Sequence, residues 1–176
     1  MAILYTVGHS TRSLEELVSV LKAHDIETLV DIRAFPMSRR LPHFNRESLE
    51  LSLPGQGIRY IWVKALGGYR KATRKDSPHT ALRNANFRNY ADYTLTPEFE
   101  QAATELLQIA SASRTAYMCA ERVYFRCHRM IVSDWLVAHG HDVLHVDAEG
   151  PAVPHKLFAE ARLIEGQVIY RGDSLF

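Results

Sequence analysis

The chain has 176 residues, of which 47% are hydrophobic and 23% charged, the balance of one globular domain with a sizeable core and not of a disordered or fibrous chain. Its apolar runs are too short to span a bilayer, and Met1-Ala-Ile-Leu-Tyr5 lacks a basic leader, so a cytoplasmic protein is expected, with Cys119 and Cys127 as free thiols. The net charge of +1 hides an asymmetry: residues 31–90 carry +8, which favours an anionic small molecule or a nucleic acid as partner, while the near-zero total and the lack of a recognition-helix motif argue against sequence-specific duplex binding.

Ile3–Val7 reads as a buried strand that ends in Gly8-His9-Ser10. Ser13 and Glu16 form a capping box, and Leu14, Leu17, Val18 and Leu21 supply the buried stripe of a helix ending near His24. Residues 28–33 are a second strand, broken by Phe35-Pro36. A short helix is expected over 46–53 with Asn45 as its cap, then a third strand over 58–63. Leu66-Gly67-Gly68 turns into the basic loop 69–75, and residues 76–96 are weakly patterned. Pro97 opens an amphipathic helix to about Ile109, followed by a strand over 115–119 and a helix from Cys127 to Ala138, closed by Gly140. Residues 141–147 make a fifth strand. The tail holds a short helix over 155–161 and an edge strand over 167–170. Strands alternating with helices imply an α/β domain: a mainly parallel five-stranded sheet flanked by helices in a Rossmann-like three-layer arrangement, with a short C-terminal extension.

In such a sheet the carboxyl ends of the strands share one edge, where ligands bind. That edge would gather Gly8-His9-Ser10, Asp31-Ile-Arg33 and Cys119-Ala-Glu121. The segment from Tyr117 to Arg129 is densest in chemistry, holding both cysteines, Glu121, His128 and three arginines. His9, Asp31, Cys119, Glu121 and His128 are the catalytic candidates: His9 and Glu121 as proton-transfer groups, Asp31 orienting His9 or holding a divalent metal, His128 stabilising charge. Ser10, Arg12, Arg33, Arg39, Arg40, Asn45, Arg70, Lys71, Cys127 and Arg129 are candidates for holding an anion. The cations of His128 and Arg129 in a helix's first turn oppose its dipole, a conflict that a bound anion or Glu121 would relieve.

Several signatures are excluded. No P-loop or dinucleotide fingerprint occurs. Cys119 and Arg126 bracket six residues where a tyrosine-phosphatase loop brackets five, and no Cys-x-x-Cys is present. Zinc is not among them: it wants four ligands, which Cys119, Cys127, His128 and His9 could only just supply.

Thr6-Val-Gly8-His9-Ser10 with Leu14-Glu15-Glu16-Leu17, Leu29-Val-Asp31-Ile-Arg33-Ala-Phe35-Pro36, Phe44-Asn45, Leu66-Gly67-Gly68 and Cys119-Ala-Glu121…Cys127-His128-Arg129 together resemble the bacterial domain-of-unknown-function 488 family. The resemblance implies a compact α/β domain with a cluster at the strand ends and supplies no reaction. Three functions stay open: an enzyme (hydrolase or transferase) on a phosphate-bearing substrate such as a nucleotide or nucleic acid end, a thiol redox or sensor protein using Cys119 and Cys127, and a non-catalytic module binding RNA or an acidic partner.

Overall fold

A computed structural model describes residues 1–172. Five parallel strands form the centre of one sheet: β1 (Ile3–Gly8), β2 (Thr28–Asp31), β3 (Arg59–Trp62), β4 (Thr115–Cys119) and β5 (Asp142–His145). A two-residue strand, β6 (Val153–Pro154), adds to β5 antiparallel, so the sheet has six strands in the order β3-β2-β4-β1-β5-β6, one more than the sequence implied.

Helix α1 (Leu14–Ala23) has the expected capping box, with Ser13 Oγ accepting from Glu16 N and Glu16 accepting from Ser13 N. It packs with α2 (Arg46–Ser52) on one face, where Leu17, Leu21, Leu49 and Phe44 meet Val7, Leu29 and Met118. On the other face α3 (Ala85–Tyr93), α4 (Pro97–Ala112) and α5 (Arg129–Ala138) bury Tyr90, Phe99, Leu106, Ile131 and Leu136 against Leu4, Val30 and Tyr117. Each face is near-continuously apolar, which is why the strands read as unalternating hydrophobic runs.

Four local expectations are corrected. Asn45 precedes α2 but makes no side-chain cap; its Oδ1 accepts from Ser38 N at 2.6 Å and closes the preceding loop instead. Helix α3 lies in the segment that looked unpatterned, capped by Asn84, whose side chain accepts from Asn86 N and Phe87 N. Helix α5 starts at Arg129, because residues 124–126 form a tight turn and Cys127 is extended.

The fourth concerns residues 155–161, which form no helix. The buried Asp134 carboxylate accepts from Phe158 N, from Tyr170 Oη and from His155, whose other ring nitrogen meets His145 Nε2 at 2.8 Å. A side-chain acceptor takes the Phe158 amide that a helix would need, and the segment runs without regular structure into a turn at residues 159–160. The expected strand at the end is β8 (Gln167–Tyr170), paired with β7 (Ala161–Ile164) in a separate hairpin and not at the edge of the main sheet. Its turn, Glu165-Gly166, has positive φ at both residues, as a two-residue hairpin loop requires. No helix among the described residues is long and apolar enough to cross a membrane.

Candidate functional site

Strand β4 lies between β1 and β2, with Gly8 opposite Cys119 and Asp31 opposite Met118. The three polar strand ends therefore meet, as expected. The loops leave β1 and β4 towards opposite faces of the sheet, so this is the topological switch point where ligands of such sheets settle. The backbone ladder continues past the strands: His9 N donates to Cys119 O and Ser10 N to Ala120 O, both at 2.9 Å. Only glycine fits at position 8, since a Cβ there would lie 1.9 Å from Glu121 O.

One half of the site is a closed ionic network. Asp31 is fully buried and accepts from Arg33 N, Nε and Nη2 and from Tyr60 Oη. Arg33 donates further to His9 Nε2 at 3.1 Å and to Phe44 O at 2.7 Å. Guanidinium only donates, so His9 Nε2 is an acceptor and its Nδ1–H donates to Ser10 O at 2.8 Å. Both nitrogens of His9 are thus committed. Burial, with the Arg33 cation beside it, lowers its pKa to about 4 in spite of the Ser10 hydrogen bond. Neither carboxylate oxygen of Asp31 is left for a divalent metal, since Arg33 and Tyr60 occupy them. The Ser10 amide, a candidate phosphate donor, is likewise used within the ladder.

His79 behaves as His9 does. It is completely buried, its Nδ1 accepts from Tyr170 N, its Nε2 has no hydrogen-bond partner among the described residues, and burial lowers its pKa to about 4. The nearest Asp92 oxygen, at 3.8 Å, is too far to hold the charged form. Below pH 6.5 the unfolded chain takes up protons that these two imidazoles refuse when folded. Stability should therefore decline as pH falls from about 6.5 to about 4, at roughly 1.4 kcal/mol per pH unit for each group. Urea denaturation at stepped pH checks this; a flat profile over that window would refute it.

The arginines of the signature are also spoken for. Arg129 is 1% exposed and donates to Glu121 O and Arg122 O, pinning the loop after β4; this answers its conflict with the α5 dipole without an anion. Arg12 and Arg122 both pair with Asp147. Those three residues line a concavity of about 980 Å³ beside Glu15, Glu16 and Glu149, and that acidic wall suits an anion poorly. Arg70 donates to Gly67 O and Ala65 O and stacks on Tyr93. Glu121 is exposed, its carboxylate accepting from Val123 N, with no contact to His9 among the described residues. Arg39, Arg40 and Lys71 are exposed.

The other half is a thiol cluster. Cys119 Sγ, Cys127 Sγ and His128 Nδ1 lie within 4.8 Å of one another, with Nδ1 3.9 Å from Cys119 Sγ. His128 Nε2 donates to Ile32 O at 3.0 Å, which leaves the Nδ1 lone pair facing the Cys119 sulfur. Cys127 Sγ accepts from Arg129 N. The Cys119 thiol is pulled well below its ordinary range by the Cys127 S–H and by His128, while the adjacent Cys119 sulfur and burial push Cys127 up. One anion shared by two sulfurs, seated on the partly exposed Cys119, is the physical content of that asymmetry.

Gly68 packs directly on this ring: a Cβ there would lie 2.4 Å from His128 Nδ1. Tyr90 meets the ring edge-on at 5.0 Å. A cavity of about 220 Å³ opens over Cys127 and His128, walled by Gly68, Tyr69, Asn86 and Phe87. In the sequence Gly68 reads as part of a turn and of the Leu66-Gly67-Gly68 mark of the resemblance, and no pattern there points to Tyr60, Asn86 or Phe87. These three donors, without His9, are the set suited to a soft metal ion.

No curated protein and no solved structure matches the chain. A family model does, over residues 13–136, which span α1 to α5 and contain Asp31, Gly68 and the whole thiol cluster. The chain belongs to the DUF488 family, a domain of unknown function.

Proposed function

We propose that the chain is a thiol-based redox protein in which Cys119 and Cys127 interconvert between dithiol and disulfide. The carrying observation is the mutual approach of both sulfurs and His128 Nδ1 within 4.8 Å, at the strand edge where this fold class places its chemistry. A cysteine, a base within reach and a third group orienting that base form the arrangement of an activated nucleophile, with Ile32 O as the orienting group. With a peroxide as oxidant, the Cys119 thiolate attacks one oxygen, the O–O bond breaks, and hydroxide leaves. Cys127 sulfur then attacks the sulfenic acid, the S–O bond breaks, and the Cys127 proton leaves with it as water. Two thiols and one hydrogen peroxide give one disulfide and two waters. By contrast, phosphate chemistry at His9 and Arg33 has little support, because their polar atoms already serve Asp31, Ser10 and Phe44.

Mild peroxide should remove two hydrogens from the intact protein, with no dimer formed, and iodoacetamide should label Cys119 well ahead of Cys127. Cys119→Ser and Cys127→Ser should each abolish the mass loss. Equal labelling of both thiols together with no intramolecular disulfide would end this reading.

A second reading is an anionic partner engaging the rim. Arg39, Arg40 and Lys71 are exposed and make no ion pair among the described residues, within the segment of net charge +8.

A further inference from the structure

The thiol cluster has features that disulfide chemistry alone does not call for. The His128 ring is held by a main-chain acceptor on Nε2, Ile32 O at 3.0 Å, so that Nδ1 presents a lone pair towards the sulfurs. Donation of the second ring nitrogen to a carbonyl is the usual support of a metal-bound histidine, because it fixes tautomer and ring plane together. Cys127 Sγ also receives a backbone N–H, from Arg129 N at 3.4 Å. N–H donation stabilises thiolate, the form in which sulfur ligates. The cavity of about 220 Å³ adjoins Cys127 and His128, so the cluster is closed by protein on one side and open on the other.

We infer that the reduced centre binds one divalent ion of the zinc class through Cys119 Sγ, Cys127 Sγ and His128 Nδ1, with a fourth position open to the cavity, and that the ion leaves when the disulfide forms. This rests on the dithiol reading above and deepens it. In tetrahedral zinc sites, bonds of about 2.3 Å to sulfur and 2.0–2.1 Å to nitrogen place neighbouring donors roughly 3.5–3.8 Å apart. The observed 3.9 Å from Cys119 Sγ to His128 Nδ1 needs only slight tightening. Two thiolates and a neutral imidazole neutralise a dication, which a poorly solvated position demands. Binding releases the thiol protons still present. The all-sulfur-and-nitrogen donor set disfavours magnesium and calcium, which take oxygen ligands. Oxidation joins the two sulfurs, removes both thiolate charges, and leaves His128 as the one remaining ligand, too few to retain the ion.

The test is titration of reduced, chelator-stripped full-length protein with Co²⁺ as a spectroscopic zinc surrogate. One equivalent should produce thiolate-to-cobalt charge-transfer bands and the visible bands of a tetrahedral centre, and Zn²⁺ should erase both. Cys119→Ser, whose side chain is partly exposed, should weaken cobalt binding at least tenfold while circular dichroism stays native. Prior oxidation of wild type should abolish the bands. Folded, reduced wild type that takes up no cobalt, with Cys119 freely alkylated throughout, would overturn the metal site and leave the redox pair intact. Stoichiometric cobalt in a protein that forms no disulfide on oxidation would do the reverse, sinking the redox reading and the oxidative release while the site itself stands.

Discussion

Replacing Asp31 with alanine is expected to destabilise the protein by about 3–5 kcal/mol, the usual cost of stranding one partner of a buried ion pair. Arg33 is 7% exposed and Asp31 is 0% exposed, so neither solvent nor screening takes over when the carboxylate goes. The variant leaves a guanidinium whose Nε loses its acceptor and whose Nη2 keeps only Phe44 O. It also leaves the Tyr60 hydroxyl without the acceptor it meets at 2.6 Å. Because Arg33 reaches Phe44 O and His9, the damage should spread to the loop of residues 35–45 and to the first turn after β1. Urea denaturation of Asp31→Ala, Arg33→Met and the double variant tests this as a cycle. The double variant should cost clearly less than the sum of the singles, since removing both charges removes the desolvation burden as well. Additive single effects, or a loss below about 1 kcal/mol for Asp31→Ala, would show that the pair does not hold this edge together.

The same pair shows what a sequence can and cannot reveal about such a site. Asp31 and Arg33 were legible as neighbours, because their spacing is local and a strand end makes it productive. Their partners were not: Tyr60 lies 29 positions away and Phe44 contributes a backbone oxygen, which no side-chain pattern encodes. The sheet was legible for the complementary reason. Its central strands β1, β2 and β4 are buried along most of their length and read as apolar runs between helices, whereas β6 is two exposed residues, one of them proline, with no pattern to see. Helix α3 went unrecognised because its buried side is Tyr90, Ala91 and Asp92 instead of an aliphatic stripe, although Asn84 was a usable cap signal. The arginines divide in a way their sequence density does not show: Arg12, Arg33, Arg70 and Arg129 donate to main-chain carbonyls, whereas Arg39 and Arg40 are exposed. Density of charge in sequence does not distinguish a ligand site from a staple; the distribution of acceptors in space does.

Gly68→Ala is the sharpest probe of the thiol centre, since it touches the ring without touching a sulfur. The added methyl would sit 2.4 Å from His128 Nδ1 and 2.7 Å from Cγ, distances that no relaxed structure tolerates. The ring cannot simply retreat. Its Nε2–H is tied to Ile32 O at 3.0 Å, and Tyr90, itself fixed by donation to Leu66 O, meets it edge-on. Gly68 is not among the glycines with positive φ, so alanine adopts its backbone without strain and the substitution reports the contact alone. Overpacking of this kind costs about 1–3 kcal/mol. The functional effect should exceed what that loss explains. Turning Nδ1 away from Cys119 removes one of the interactions that hold its thiol acidic, so the thiol rises towards its ordinary range and its alkylation near neutral pH should slow. Gly55→Ala is the control, because a Cβ there meets nothing within 4 Å. If Gly68→Ala is destabilised but its Cys119 reacts at the wild-type rate, His128 positions the fold and not the thiol. If the rate falls while Gly55→Ala is unchanged, the approach of a main-chain carbon to an imidazole is what sets the reactivity of the cysteine beyond it.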